Sequence, residues 1–363
     1  MAQRYRTSTM RLAVRPHSSE EMHDSTTADP EKPSVDVCVP TLGNAPYLTE
    51  AIESVFAQTL SSWRLVVFEN GPASEEVHRI LAPYRKDRRV HHRVIGETIT
   101  MSANWTRAIQ DGNAPHVAIL HDDDRWDPEF LSRRVRFLES NPQCGFVFGG
   151  YKVINEAGDA IRSVQPDFPS GSSHSAVALP ILYETCLVCP PTPLVRREAY
   201  DAVGAEFKEV FLTDHEMWIR LAAQFDVGYL QVCDSEYRFH PTQTTAKKRL
   251  EIGRGHLEVI GATGHLSIPT TVRRRTHANA HLLSAIDSVE LGRRRETLSH
   301  LQSAIRTQPV LLVTPGSVAR VLLVLLALVV GDRGRRVLAA LRVRRFLKRT
   351  GTNRAGVEHL VTR

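Results

Sequence analysis

Three consecutive carboxylates, Asp122, Asp123 and Asp124, follow the apolar run 117–120, which predicts a buried strand. Like charges this close repel one another or take up protons unless a cation holds them together. Carboxylate oxygens suit Mg²⁺ or Mn²⁺, because these ions keep coordination positions open for water and for phosphate oxygens. The pattern therefore indicates a metal–phosphate site, although a solvated acidic loop leading into a helix capped by Asp127 explains part of it.

Strands that alternate with helices must position these carboxylates. Apolar runs at residues 35–40, 65–68 and 117–120 predict strands, with amphipathic helical segments between them. This alternation predicts the α/β class, with a mostly parallel sheet covered by helices on both faces. Ligands of such sheets bind beyond the carboxyl ends of the strands. Asn44, Glu69 and the three aspartates all follow such ends, so we expect them at one edge of the sheet.

Composition and charge limit the possible functions. The chain has 363 residues and a formal net charge of +6, enough for one large α/β domain with additions or for two domains. No G-x-G-x-x-G and no G-x-x-x-x-G-K-[ST] occurs, which argues against the usual dinucleotide and P-loop sites. Much of the positive excess is concentrated at Arg333, Arg335, Arg336, Arg342, Arg344, Arg345, Lys348 and Arg349. No aromatic interleaving accompanies it, so we expect no nucleic-acid partner.

The five cysteines indicate reduced thiols in a cytoplasmic protein. They form an odd set scattered through apolar segments, at Cys38, Cys144, Cys186, Cys189 and Cys233, and this argues against a disulfide framework. Cys186 and Cys189 have the spacing of a zinc or redox pair, but no second pair exists. We therefore expect them to pack in the core.

Both ends of the chain differ from its centre. Residues 1–33 are polar and predict a disordered leader. Residues 251–363 predict a helical C-terminal region, whose apolar run 321–330 is about half the ~20 residues that a membrane span needs. That segment is either a helix packed on the catalytic domain or a peripheral attachment to the inner face of an anionic membrane.

Several motifs together resemble family 2 glycosyltransferases with the GT-A fold. They stand in the order and approximate spacing of that family, at Pro40-Thr41, Ala51–Val55 with Gln58-Thr59, Glu69-Asn70-Gly71, Asp122–Asp124, Thr213–Ala222 and Tyr237–Pro241. The resemblance covers roughly residues 33 to 245, and residues 34–250 are the expected GT-A domain. It implies an inverting enzyme that moves a sugar from a UDP-, GDP- or dTDP-sugar to a hydroxyl of a glycan or lipid-linked acceptor.

The resemblance also implies roles for individual residues. Mn²⁺ or Mg²⁺ would be bound by Asp123 and Asp124, with His240 as a further candidate ligand. The choice of two among the three aspartates stays open. Asp214 would be the general base that takes the proton of the acceptor hydroxyl. Its alternative role is structural, because Thr213-x-x-Glu216 has the pattern of a helix capping box.

Four further residues would bind the donor. Thr41 would lie near the nucleotide, Glu69 would contact its base, Asp122 would flank the metal site and Arg238 would close over the diphosphate. For Glu69 and Thr41 the alternatives are a turn residue and a plain loop hydroxyl. The chain departs from the family pattern at His121 and Thr213, which replace acidic residues.

Two other functions remain open at this point. A nucleotidyltransferase on a similar fold would carry a glycine-rich phosphate loop after the first strand, which the segment 40–44 does not resemble. A catalytically silent nucleotide-sugar-binding or membrane-docking protein is compatible with the departures from the family pattern. Turnover would separate this last class from an enzyme.

Overall fold

The computed structural model describes residues 32–43, 45–240, 242–312 and 315–350. Asn44 and nearly all of the expected leader lie outside the described residues. The strands are β1 to β10, in chain order Val35–Thr41, Trp63–Glu69, Val90–Val94, His116–Ile119, Arg125–Trp126, Cys144–Ile154, Ala160–Val164, Gly171–Ser173, Leu194–Arg196 and Asp226–Arg238. They form a 10-stranded sheet in the order β3-β2-β1-β4-β9-β6-β10-β5, with β7 on β6 and β8 on β10.

The sheet is parallel in its first half and mixed in its second. β3, β2, β1 and β4 are parallel to one another, as the alternation of strands and helices predicts. Beyond them the short strand β9 runs antiparallel to both β4 and β6, and β10 returns parallel to β6. The expected α/β class with flanking helices is confirmed, and antiparallel strands extend its parallel part.

Helices cover the sheet and continue past it. In chain order α1 to α13 are Leu48–Phe56, Glu75–Leu81, Met101–Gln110, Phe130–Ser140, Ser175–Glu184, Arg197–Ala202, Thr213–Ala222, Thr244–Lys247, Ile252–Ala262, Thr270–Glu290, Arg294–Thr307, Pro315–Val330 and Asp332–Thr350. The expected helical C-terminal region is present. Among the described residues, no helix is both long enough and apolar enough to cross a bilayer.

Successive residues of the central strands enter two different cores. On β2, Val66 packs with α3 and α7, whereas Val67 packs with α1 and α4 on the opposite face. Side chains alternate along a strand, and both faces of this sheet are covered, so the strand sequences are continuously apolar. Val259 of α9 joins the core on the α7 face, so the first helices of the C-terminal region pack directly against the sheet domain.

One buried ion pair links α4 to β10. The side chain of Arg134 is 0% exposed and that of Asp234 2%, and the two form a bidentate pair with N···O distances of 2.9 and 3.0 Å. The expected helix start at Asp127 is wrong, because α4 begins at Phe130. Asp127 instead accepts a hydrogen bond from Lys152 at 3.1 Å.

The helix α12 is buried on one side only. Val321, Val324, Ala327 and Leu328 pack into a separate core with α10, α11 and α13. The large apolar side chains on its other side are exposed, at Leu322, Leu325, Leu326, Val329 and Val330. We call these five residues the apolar stripe.

Candidate active site

The loop after β4 brings a histidine and two carboxylates together. One ligand atom from each of His121, Asp123 and Asp124 lies within 4.8 Å of the others, and this is the only such set of three found among the described residues. Asp124 is 1% exposed, so its carboxylate is held inside the protein. His121 was expected only as a departure from the family pattern, and the structure places it beside the carboxylates.

Two atoms of this cluster have no hydrogen-bond partner. Oδ2 of Asp124 and Nε2 of His121 are buried and unpaired, and Nδ1 of the same histidine lies 3.8 Å from Asp124 Oδ2. A buried polar atom without a partner is costly. A divalent cation bound by these atoms would remove that cost, so the donor set fits a metal.

The electrostatics of the aspartates point the same way. Burial, together with the nearby Asp123 carboxylate, raises the pKa of Asp122 to about 7 and that of Asp124 well above its usual range. Burial alone would also raise the pKa of Asp123, but the hydrogen bond with His240 and the nearby imidazoles keep it below its ordinary value. Three ionised carboxylates are therefore unfavourable here without an added positive charge.

The end of β10 orients the cluster. His240 Nε2 lies 3.0 Å from Asp123 Oδ2, so it is placed where it hydrogen-bonds to one carboxylate. The backbone N–H of Arg238 donates to Asp124 Oδ1 at 2.8 Å, and its Nε donates to the carbonyl of Asp123 at 2.9 Å. The loop after β4 is thus held by the strand end that resembles the closing motif of the family.

Arg238 itself is turned inward. Its side chain is 0% exposed, its Nη2 donates to Glu50 at 2.7 Å, and its guanidinium lies 4.2 Å from the ring centroid of Tyr47. These contacts make Arg238 a positioning residue for the aspartate loop. Glu50, on α1, was not expected from the sequence, because no local pattern connects it to a residue 188 positions away.

Thr41 and Asp122 meet at the edge of the sheet, as expected. A hydrogen bond from Thr41 partly offsets the raised pKa of Asp122. Thr41 is also the register partner of Glu69 across the parallel pair β1 and β2. The carboxyl ends of three neighbouring strands therefore converge.

Glu69 is bound by the protein at both oxygens. Oε1 accepts from the backbone N–H of Ser74 at 2.6 Å, and Oε2 lies 2.9 Å from His92 Nε2. The side chain is 0% exposed. Gly43 approaches it closely, because a Cβ there would lie 3.3 Å from Oε1, and its φ of +83° favours glycine. Glu69 thus shapes the turn after β2, which matches the turn-residue alternative.

Asp214 lies in the first turn of α7, across from His121. Burial raises its pKa to about 6, and its Oδ1 accepts from the backbone N–H of His215 at 2.8 Å. Asp214 and His121 both border one small cavity of about 10 Å³. The candidate base and one candidate metal ligand therefore border a common space.

The expected capping box at the start of α7 is wrong. The N-cap position is Leu212, with no side-chain cap, and Thr213 Oγ1 donates to the carbonyl of Lys208 at 2.8 Å. Glu216 pairs with Arg220 at 2.8 Å instead of returning to the helix start. The structural alternative for Asp214 thereby loses its main support.

Two cysteines lie near Asp214. Cys186 is exposed rather than packed in the core, which corrects the expectation, and Cys189 is half-buried. Asp214 and Asp124 are both close enough to raise the pKa of the Cys189 thiol, although burial is the larger cause. Cys189 therefore lies near both the candidate base and the aspartate loop. All five cysteines are free thiols.

The chain is similar in sequence to known glycosyltransferases. Residues 36–204 match the family model described as Glycosyl transferase family 2. An uncharacterized glycosyltransferase of Methanocaldococcus jannaschii is 24% identical over 203 residues, which are 54% of this chain and 68% of that protein. The putative teichuronic acid biosynthesis glycosyltransferase TuaG of Bacillus subtilis is 26% identical over 128 residues, 35% of this chain and 50% of its own length.

Solved structures share the fold at low sequence identity. S. aureus TarS 1-349 in complex with UDP-GlcNAc has a TM-score of 0.58 and 16% identity, covering 85% of this chain and 91% of that one. The mannosyltransferase PcManGT from Pyrobaculum calidifontis, in complex with GDP-Man and Mn²⁺, has a TM-score of 0.51 and 17% identity, covering 85% and 84%. The chain has the GT-A fold, and its residues 36–204 are similar to glycosyl transferase family 2.

Proposed function

We propose that the protein is an inverting glycosyltransferase that moves a sugar from a nucleotide-diphosphate sugar to an acceptor hydroxyl. The observation that supports this most is the set of His121, Asp123 and Asp124, whose buried unpaired atoms fit a divalent cation. Carboxylate oxygens suit Mg²⁺ and Mn²⁺ alike, and the imidazole nitrogen favours Mn²⁺. When bound, the ion would neutralise the charge that develops on the leaving diphosphate.

The protein's own groups have separate tasks in this proposal. Asp214 takes the proton of the acceptor hydroxyl, since its pKa of about 6 leaves it ionised at neutral pH and still basic enough to accept a proton. Thr41 and Asp122 contact the donor beside the metal. Arg238 and His240 hold the aspartate loop in position, and His240 remains a candidate ligand.

A thermal-shift panel tests the donor class. UDP-, GDP- and dTDP-sugars are compared with and without Mn²⁺, because a ligand that binds only the folded state stabilises it by about 2.7 kcal/mol at a hundredfold excess over its Kd. We expect one nucleotide sugar to raise the melting temperature, and to do so only with Mn²⁺. Stabilisation by none of them would contradict the proposal, and preferential stabilisation by a nucleoside triphosphate would favour a nucleotidyltransferase.

We also propose that the C-terminal helices attach the enzyme to an anionic membrane surface. The apolar stripe on α12 faces outward, and Val329 is 83% exposed. Arg333 and Arg336 are exposed at the start of α13, next to the stripe. Apolar residues that enter the interface beside basic side chains are typical of peripheral attachment, and each basic residue adds about 1 kcal/mol near anionic lipid. A lipid-linked acceptor would be met at such a surface.

A further inference from the structure

A second and larger cavity lies between the chain segment after β10 and the helices α9, α10 and α11. Its volume is about 790 Å³, with Thr242, Lys247 and Lys248 at one side and Asp287 and Ser288 of α10 in its lining. Pockets that bind small ligands generally range from about 300 to 1,000 Å³. This cavity therefore has room for several sugar units.

Each acidic side chain in the lining has a partner within the protein. These side chains are Glu251, which pairs with Arg254, Glu296, which pairs with Arg293 at 3.4 Å, and Asp287, which accepts from the backbone N–H of Gly253 at 3.0 Å. Arginines thus offset Glu251 and Glu296, whereas Asp287 keeps its charge. The lining also carries more basic than acidic side chains, so its formal charge is positive; the basic ones are Lys247, Lys248, Arg249, Arg254 and Arg293.

Lys247 and Lys248 are exposed, and neither forms an ion pair with any residue that the structure describes. Lys248 Nζ lies 5.6 Å from the ring centroid of Phe211. Phe211 precedes Asp214 in the sequence and lies just before α7. Two ammonium groups that have no ion-pair partner among the described residues thus line this cavity. Such groups attract phosphate or carboxylate.

The same side of the cavity adjoins the candidate metal ligands. Thr242 Oγ1 lies 2.7 Å from His240 Nδ1, and His240 Nε2 lies 3.0 Å from Asp123 Oδ2. One hydrogen-bonded histidine therefore separates the cavity lining from the aspartate loop. A molecule bound in the cavity would therefore lie close to the aspartate loop.

We propose that this cavity binds the acceptor, and that the acceptor is an anionic saccharide whose phosphate or carboxylate groups are held by Lys247 and Lys248. The inference rests on the proposed glycosyl transfer, because only a transferase needs an acceptor next to the donor site. It adds the chemical class of the acceptor and the place where it binds.

Binding of three defined probes to the full-length protein tests the inference. Tri(glycerol phosphate) supplies phosphates, trigalacturonic acid supplies carboxylates, and maltotriose is the neutral control. The variant is Lys247→Ala with Lys248→Ala. The matched control is Lys86→Ala, an exposed lysine in the turn before β3, at the opposite edge of the sheet. Stabilisation by nucleotide sugar with Mn²⁺ is measured on every protein.

We expect at least one anionic probe to bind, to bind about tenfold or more weakly to the double variant, and to lose affinity as salt is raised. Maltotriose should bind more weakly than that anionic probe, and Lys86→Ala should match the wild type. The phosphate and carboxylate probes distinguish the two sources of charge. If neither anionic probe binds, or if the double variant binds them as the wild type does, the inference is overturned. Unchanged donor stabilisation in that case would leave the transferase proposal intact.

Discussion

The substitution Asp214→Asn tests whether Asp214 is a catalytic base or a structural residue. If it is a base, the rate of transfer should fall while the stability of the protein rises. Loss of a general base should lower transfer by roughly 10²- to 10⁴-fold with little change in donor binding. The same change should raise the stability of the protein at neutral pH. Asn retains an oxygen that accepts the hydrogen bond of His215 N–H, now 2.8 Å long, while the unfavourable buried charge disappears.

The magnitude follows from the pKa of Asp214, which burial raises from 3.8 to about 6. A raised carboxyl pKa means that the folded state holds the proton more tightly than the unfolded state. The resulting stabilisation is fully present below about pH 4 and is lost as the pH rises through about 6. At 1.36 kcal/mol per pKa unit, the ionised form costs at most about 3 kcal/mol at pH 8. Removing that cost should raise the Tm by several degrees.

Differential scanning fluorimetry at pH 4 and pH 8, with transfer assays across the same range, gives the answer. Wild-type and Asp214→Asn melting temperatures should agree more closely at pH 4 and separate at pH 8, with the variant higher. Wild-type transfer should rise with pH up to about 6 and then level off. Glu206→Gln, which changes an exposed carboxylate, should alter neither property. Near-normal kcat together with a lower Tm would refute the reasoning and make Asp214 a structural residue.

Three further outcomes are expected. Asp123→Ala or Asp124→Ala should abolish Mn²⁺-stimulated donor hydrolysis while circular dichroism stays native, and turnover that persists in EDTA would contradict the metal. Asp234→Ala leaves the fully buried Arg134 without its carboxylate and should cost about 3–5 kcal/mol in urea unfolding; a loss below ~1 kcal/mol would mean that Arg134 gains other partners. Val329→Asp should weaken co-sedimentation with phosphatidylglycerol vesicles at low salt, and wild-type protein that stays in the supernatant would contradict membrane attachment.

The sequence alone was sufficient for the fold class and for the edge of the sheet where the site lies. Continuous apolar runs predict strands buried on both faces. The structure has the strands β1, β2 and β4 at these runs. Parallel strands end at one edge, so polar residues that follow them, such as Thr41 and Asp122, must come together. These inferences depend on local periodicity and on chain direction, which a sequence contains in full.

The partners of each side chain depended on the tertiary structure. Arg238 was expected to face the donor, but it bonds to Glu50 and to the aspartate loop, from which it is separated by more than a hundred residues. Likewise, only the structure shows that His121 lies with Asp123 and Asp124 and is a candidate ligand. No periodicity connects such distant residues, so only the packing of β10 beside the loop after β4 decides their contacts.

The helix α12 also shows what the sequence predicts and what only the structure decides, here for the exposure of a helix surface. Its sequence, apolar on nearly every side, indicates a helix that prefers not to face water but does not say which side is covered. Packing against α10 buries Val324 completely and leaves Val329 exposed. The sequence by itself determined that α12 would be hydrophobic. Only the tertiary structure decided which face remains exposed, because burial depends on neighbours that are distant along the chain.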